Sequence, residues 1–267
     1  MITSSLHNHC SLCDGKDSPE EMLSAACKAG IKDFGFSSHS YASFDLSASV
    51  AGERQYIRAI EDVRSSRRDL PINVYLGAEE DLYAPLAFRE EYDYVIGAAH
   101  YIENGGRLYG VDVSERITAE CVSEAFGGDG MRFAQAYYDN VLAAAAKRPD
   151  ILAHFDLIRK CGAAAVDFAS AAYRDLAADY LAACLKTGVV FELNYGAVAR
   201  GRLSSPYPDE FLLRRISEKS GRVTVSTDCH DARKIAFGLS EGEEYLKSLG
   251  FRYVTVMRGG ALTEERL

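Results

Sequence analysis

Short apolar runs rich in β-branched and aromatic residues alternate along this chain with longer segments of helical periodicity, and that alternation leaves few folds open. Strands are expected at residues 3–6, 33–37, 72–77, 92–98, 151–153, 189–193, 222–226 and 251–256. Helices are expected at 22–29, 52–68, 132–147, 171–186, 209–219 and 241–249. Ser18-Pro19-Glu20-Glu21 supplies a cap, a proline at the first helical position and a Glu three residues after the cap, while Gly30 offers a stop. Short joins between unlike elements imply parallel strands linked by right-handed crossovers. Seven or eight such strands suit either a barrel or a doubly wound sheet, and periodicity does not separate the two.

No Pro/Gly/Ser-rich linker or low-complexity tract divides the chain, so residues 1–267 are expected to form one domain. No basic start leads into an apolar segment at Met1, and no run approaches the length of a spanning helix. Seven cysteines, an odd and scattered set, speak against a disulfide framework and for a reducing, cytoplasmic setting. Cys10-Ser11-Leu12-Cys13 has no second CxxC to complete a zinc site and reads as coincidence. Thirty Lys and Arg against 39 Asp and Glu give a formal charge of −9, the opposite of a protein that grips nucleic acid by its phosphates. Neither nucleic acid nor membrane is an expected partner. The stretch 103–130, glycine-rich and weakly periodic, reads as a long loop or lid. Its Gly127-Gly128-Asp129-Gly130 lacks the strand and the Lys-Ser/Thr that a phosphate loop requires.

The six histidines carry the functional argument. His7 and His9 close the first expected strand, and His39 follows the second. His100, His154 and His230 stand at or just past the ends of later ones. Structural histidines would also appear on helices and outer loops, and here none does. In a parallel α/β fold the C-terminal strand ends form one face, where sites are built. His7-Asn8-His9 on an extended strand points both imidazoles to one side, as chelation requires. Asp228-Cys229-His230 is expected to repeat that geometry, with Cys229 turned away. Asp14 and Glu79 reach the same rim. Nine such N and O ligands exceed the needs of one ion. They imply two to three divalent metals, with zinc, manganese or iron suited to the set.

These residues resemble the polymerase and histidinol phosphatase (PHP) superfamily over nearly the whole chain. The likeness includes His7-Asn8-His9 with Asp14-Gly15, His39, Gly77-Ala78-Glu79 and the segment Tyr94 to His100. It continues through Leu152 to Asp156 and Phe191 to Asn194, ending at Ser226 to His230. Segments such as YDYVIGAAHYI and ILAHFDLIRK look most like the stand-alone histidinol-phosphate phosphatases of histidine biosynthesis. The resemblance implies an α/β fold, a distorted (β/α)7 TIM-like barrel, with a trinuclear centre at the strand C-termini. It implies His7, His9, Glu79 and Asp228 on a first metal, Glu79, His100 and His154 on a second, and Asp14, His39 and His230 on a third. Ser38, Cys10 and Ala98-Ala99 depart from the usual pattern, and none of them is an implied ligand.

The reaction expected is hydrolysis of a small phosphate monoester, most like L-histidinol phosphate, by a hydroxide bridging two metals. Glu79 and Asp228 are the candidate catalytic carboxylates, and Asp228 or a metal-bound water would protonate the leaving oxygen. Arg159 and Arg200 resemble the family's phosphate-contacting arginines, although each could equally pair with Asp156 or Glu192. Alternatives are a phosphoesterase for a nucleotide, phosphotyrosine or oligonucleotide end, and a non-catalytic metal-binding module.

Overall fold

The computed structural model describes residues 2–67 and 70–267, so the expected helix end at Arg68 lies outside the described residues. In chain order the strands are β1 (Ser4–Ser5), β2 (Asp33–Phe36), β3 (Asn73–Asp81), β4 (Tyr94–Ala98), β5 (Tyr101–Asn104), β6 (Arg107–Gly110), β7 (Ile151–Leu152), β8 (Val190–Asn194), β9 (Val223–Ser226), β10 (Tyr253–Arg258) and β11 (Ala261–Arg266). The helices are α1 (Pro19–Lys28), α2 (Glu53–Ser66), α3 (Glu115–Phe126), α4 (Gly130–Ala146), α5 (Ala171–Leu185), α6 (Gly196–Ala199), α7 (Glu210–Glu218) and α8 (Leu239–Ser248). None of these is long and apolar enough to cross a membrane.

Seven strands form one sheet in the order β1-β2-β3-β4-β7-β8-β9, and every pairing in it is parallel. The sheet curls until its two edges meet. Asn8 bridges Cys229 in parallel, with His9 N donating to Cys229 O at 2.8 Å and Cys229 N to His7 O at 3.1 Å. That closure is a TIM-like barrel. It also sets the His-x-His and Asp-x-His segments side by side, although they stand at opposite ends of the sequence. At the other mouth β10 packs against both β1 and β9; Met257 N donates to Ser4 Oγ of β1 at 3.1 Å, and Arg258 pairs with Asp33 of the neighbouring β2 at 2.7 Å.

The local signals explain most of these elements. Ser18 caps α1 in a reciprocal box with Glu21, and Gly30 follows at φ +78°, the left-handed position that ends such a helix. Side chains that alternate inward fill the lower barrel with Leu6, Tyr75, Tyr94, Ile96, Ile151 and Val190. Tyr94 stands across the interior and donates to Leu6 O. A Cβ on Gly35 or Gly77 would collide with its ring, so both positions must stay bare.

Three expectations need correction. Residues 103–130 are no loop: β5 and β6 form an antiparallel hairpin, and α3 follows. Gly105 and Gly106 make the hairpin turn, with φ of +61° and +86°, so the glycines that suggested a long loop are turn residues. Gly127 is the left-handed stop of α3, and Asp129 caps α4 through Met131 N and Arg132 N, which accounts for the Gly-Gly-Asp-Gly run without a phosphate. The run 251–256 is not an eighth barrel strand: as β10 it pairs with β11, which periodicity did not reveal. Lastly, β3 runs on to Asp81, so Glu79 sits within a strand rather than ending one.

Candidate metal centre

The alternation that fills the lower barrel with apolar side chains continues upward into polar ones. Above Tyr75 and Gly77 on β3 the next inward positions are Glu79 and Asp81, and above Val190 on β8 they are Glu192 and Asn194. All four are buried. The barrel axis is thus a column that is greasy below and ionisable above, and the histidines crown it.

Glu79 is the hub. Its Oε1 lies 2.9 Å from His154 Nε2 and 3.3 Å from His100 Nε2. Its Oε2 lies 3.2 Å from His7 Nε2, 3.5 Å from His9 Nε2 and 2.9 Å from His39 Nδ1. Asp228 Oδ1 faces His9 at 3.4 Å, His7 at 3.8 Å and His230 Nδ1 at 3.4 Å. Asp14 faces His230 Nε2 at 3.3 Å, His9 Nδ1 at 3.6 Å and His39 Nε2 at 3.8 Å. The nine residues singled out from the sequence therefore meet at one place. Their donor atoms gather as His7-His9-Glu79, as His39-Glu79-His100, and as His9-Asp14-His39-His230. The first holds three of the four residues implied for one metal, without Asp228, and the last holds the three implied for another together with His9. His39 presents one nitrogen toward Glu79 and the other toward Asp14, so it stands between two groups rather than in the third alone.

Does the set fit metal? His7 Nε2, His9 Nε2 and Glu79 Oε2 are buried and make no hydrogen bond. Orphaned polar atoms at such depth are costly, and a divalent cation among them would satisfy all three at once. At His9 the charge state agrees. Burial, reinforced by the neighbouring His230 and His39, drops His9 to about 3 and leaves its imidazole neutral, as a ligand must be. Burial acts to lower His7, His39 and His100 too, but the carboxylates around them reverse the sign, Glu192 foremost for His7 and Glu79 for the other two. Burial would raise Glu79; the charges of His7, His39 and His100 outweigh it and hold the carboxyl well below the usual range. In Asp228 the same contest is won by Arg200 and His7. The metal-free pocket is anionic and gathers protons, which cations replace on binding.

Behind the ligands stands a layer that sequence reasoning missed. Glu192 Oε1 accepts from His7 Nδ1 at 2.6 Å and from Ser226 Oγ at 2.5 Å, and its Oε2 accepts from His154 N at 2.9 Å and Asn194 Nδ2 at 2.8 Å. It fixes the tautomer that leaves His7 Nε2 bare toward Glu79. Asp81 does the same for His100, at 3.2 Å from Nδ1. A sequence signal existed: a carboxylate in phase with Val190 in the middle of a buried strand.

The Asp-x-His segment reaches the site by another route than expected. Asp228 has φ +46°, so this backbone is left-handed there rather than extended. A non-glycine residue held in that region costs backbone strain, and here it stands at the candidate centre. Cys229 turns away as expected, its Sγ donating to Asp231 O at 3.0 Å. All seven cysteines are free, with burial pushing Cys13 and Cys229 up to about 12.

The two arginines part company. Arg200 lies against the centre, bonded to Asp228 Oδ2 at 3.0 Å and Asp228 O at 2.9 Å. Arg159 does not line the cavity; it is held by Asp156, Ser205 Oγ and Pro206 O, at 3.3, 2.7 and 3.1 Å. Its neighbour Lys160 takes that place, bonded to Asp112 at 2.8 Å. The inner cavity of about 200 Å³ is walled by metal-binding candidates together with Arg200, Lys160, Asp112 and Leu157. A vestibule of about 250 Å³ adjoins it, lined by Asp45, Asp81, Asp112, Tyr101 and Ser40 among others.

A barrel whose strand ends carry a cluster of imidazoles and carboxylates able to hold several cations defines a class of metal-dependent hydrolases. The chain belongs to the PHP family, whose domain model matches residues 5–196, and it is a phosphoesterase of that metal-dependent kind. No curated protein matches it in sequence. Two solved structures share the fold. A candidate histidinol phosphatase of Listeria monocytogenes has a TM-score of 0.72 at 16% identity, over 89% of this chain and 98% of that one. The histidinol phosphate phosphatase of Lactococcus lactis, solved with zinc, L-histidinol and phosphate, also has a TM-score of 0.72, at 18% identity over 98% and 100%.

Proposed function

We propose that this chain, acting as one domain, hydrolyses a small phosphate monoester, and that the ester is L-histidinol phosphate, yielding L-histidinol and phosphate. His7, His9, Glu79 and Asp228, with His100, His154, His39, Asp14 and His230, would hold two to three ions of zinc, manganese or iron. Bound there, the ions supply a water made acidic by coordination and a positive surface for the phosphoryl oxygens. The chain's own contribution is placement. Glu79 ties the histidines of four strand ends together, Glu192 and Asp81 orient His7 and His100, and Arg200 offers a guanidinium beside the phosphate's position.

The observation that carries the substrate reading is the vestibule. Its volume of about 250 Å³ falls below the roughly 300–1,000 Å³ of pockets for drug-sized ligands, which favours a small leaving group. Its walls bear Asp45, Asp81 and Asp112 against one lysine, which favours a cationic alcohol over a nucleotide or an acidic peptide. An amino alcohol bearing an imidazole has that size and charge. The histidinol bound by the Lactococcus protein is of the same kind.

The test is a phosphatase screen on protein of measured metal content. L-histidinol phosphate should exceed nucleotides and aryl phosphates in kcat/KM by at least about tenfold, or roughly 1.4 kcal/mol of transition-state discrimination. A smaller margin removes the assignment, and full turnover after exhaustive chelation removes the mechanism.

A further inference from the structure

Cleaving an alkyl phosphate requires a proton for the departing oxygen, and the two cavities restrict where that proton can come from. The leaving oxygen must lie where the inner cavity opens into the vestibule, since the phosphoryl group occupies the first and the alcohol the second. Five side chains line both spaces: Asp14, His39, His100, Asp112 and Lys160. Three of them are metal-binding candidates, whose ligating atoms carry no proton to give. Asp228 and Arg200 wall the inner cavity but not the vestibule. There remain Asp112 and Lys160, paired at 2.8 Å across the junction, where the hairpin end meets the turn after β7. We propose that Lys160 is the proton donor to the leaving alcohol oxygen and that Asp112 is the residue that positions its ammonium. This rests on the phosphatase reading above.

The step balances simply. As an incoming water oxygen forms its bond to phosphorus, keeping one proton as the phosphate hydroxyl and releasing the other to solvent, the bond from phosphorus to the alcohol oxygen breaks and its electron pair goes to that oxygen. A proton passes from Lys160 Nζ to the oxygen, leaving a neutral amine, which solvent in the vestibule reprotonates. Asp112 is suited to hold the ammonium rather than to donate. Burial would raise its carboxyl, but the Lys160 charge at its side prevails and keeps it below its ordinary range, so it stays ionised. The ammonium is a donor only, with three protons, and one suffices for Asp112.

The experiment uses metal-loaded enzyme and two ester classes, L-histidinol phosphate and 2,4-dinitrophenyl phosphate, whose leaving group needs no proton. Lys160→Met should lower kcat/KM on the alkyl ester by about 10²- to 10⁴-fold, the range of general acid catalysis, and on the aryl ester by less than about threefold. Lys160→Arg keeps the charge but yields no proton, so it should stay defective on the alkyl ester alone. Asp112→Asn should show the same selectivity in milder form. Metal content and the Kd for inorganic phosphate should be unchanged in all three. Equal losses on both esters would make Lys160 a phosphate contact, and lost metal would make it structural; either overturns the proposal, as does full activity in Lys160→Arg. If the wild type cleaves neither ester, the phosphatase reading itself fails.

Discussion

Replacing Glu192 by glutamine changes one atom of the site's supporting layer, and the hydrogen bonds around that atom determine the consequences. Each carboxylate oxygen accepts two hydrogen bonds: His7 Nδ1 and Ser226 Oγ on one, His154 N and Asn194 Nδ2 on the other. The new amide nitrogen has two places to go. Beside His154 it would face a backbone N–H that cannot move and an Asn194 amide that cannot turn, because Asn194 Oδ1 already accepts from Gly196 N at 2.8 Å. Two buried donors would lose their acceptor, at about 1–3 kcal/mol each. Beside His7 the conflict is softer. The Ser226 hydroxyl rotates, and His7 gives up its Nδ1 proton while keeping the one on Nε2, toward Glu79 Oε2 at 3.2 Å. The metal-free protein therefore takes the second arrangement and stays near wild-type stability, while His7 loses the lone pair that would bind metal. Zinc affinity of Glu192→Gln should fall about 10- to 100-fold, or roughly 1.4–2.7 kcal/mol, with the apo Tm within about 3 °C of wild type. Competitive chelator titration reads the first quantity and calorimetry the second. Zinc affinity within twofold of wild type would refute the tautomer argument. So would a large stability loss at unchanged affinity.

Other perturbations probe separate links. Gly196→Ala places a Cβ 2.6 Å from Asp228 Oδ2 and 2.8 Å from the Arg200 guanidinium, so turnover should fall about 10²-fold while circular dichroism stays native. Unchanged turnover would show that this corner of the site tolerates displacement. Gly35→Ala drives a methyl into the Tyr94 ring inside the barrel. It should cost about 1–3 kcal/mol, lowering Tm by roughly 2–12 °C; an unshifted Tm would mean that the ring is free to move. Zinc binding to the stripped protein should release protons and tighten as pH rises. His7, His39 and His100 all sit above the ordinary 6.5, so protons compete with metal on the alkaline side of a free histidine. Calorimetry near pH 7 in buffers of differing ionisation enthalpy measures the release, and a zero slope would contradict it.

The ligands were legible because two regularities act together: strand ends in a parallel fold share a face, and alternate residues on a strand share a side. His7 and His9 obey both, and Glu79 obeys the second. What stayed hidden depends on which inward positions turn polar, and on how loops bend. Glu192 lies in an apolar run whose inward phase becomes evident only once Tyr94 and Val190 are known to face the barrel axis. Arg159 and Lys160 are adjacent, and a single turn of 3₁₀ geometry at Leu157–Lys160 decides which of them meets the cavity. Periodicity carries no such information at so short a scale. The hairpin and α3 were obscured for a different reason. Glycines that make turns and stops look, in composition, like glycines that loosen a chain.

A protein with a formal charge of −9 handles an anion, and the arrangement of its rim explains how. The carboxylates of Glu79, Asp14 and Asp228 are oriented inward, toward each other and the imidazoles, so bound cations would consume their charge and reverse the field where phosphate lands. Arg200 adds to that positive side. Asp45 lines the vestibule and not the inner cavity, and its charge is held for whatever hangs from the phosphate, with the Tyr101 and Ser47 hydroxyls donating to it. With cations bound, the site would be polarised along the bond to be broken in the proposed substrate, cationic at the phosphoryl end and anionic at the alcohol end. Asp45→Asn therefore should weaken a cationic ester more than a neutral alkyl phosphate of equal size, by about fivefold or more in KM, an energy of roughly 1 kcal/mol. Equal effects on the two esters would show that the vestibule selects by size alone.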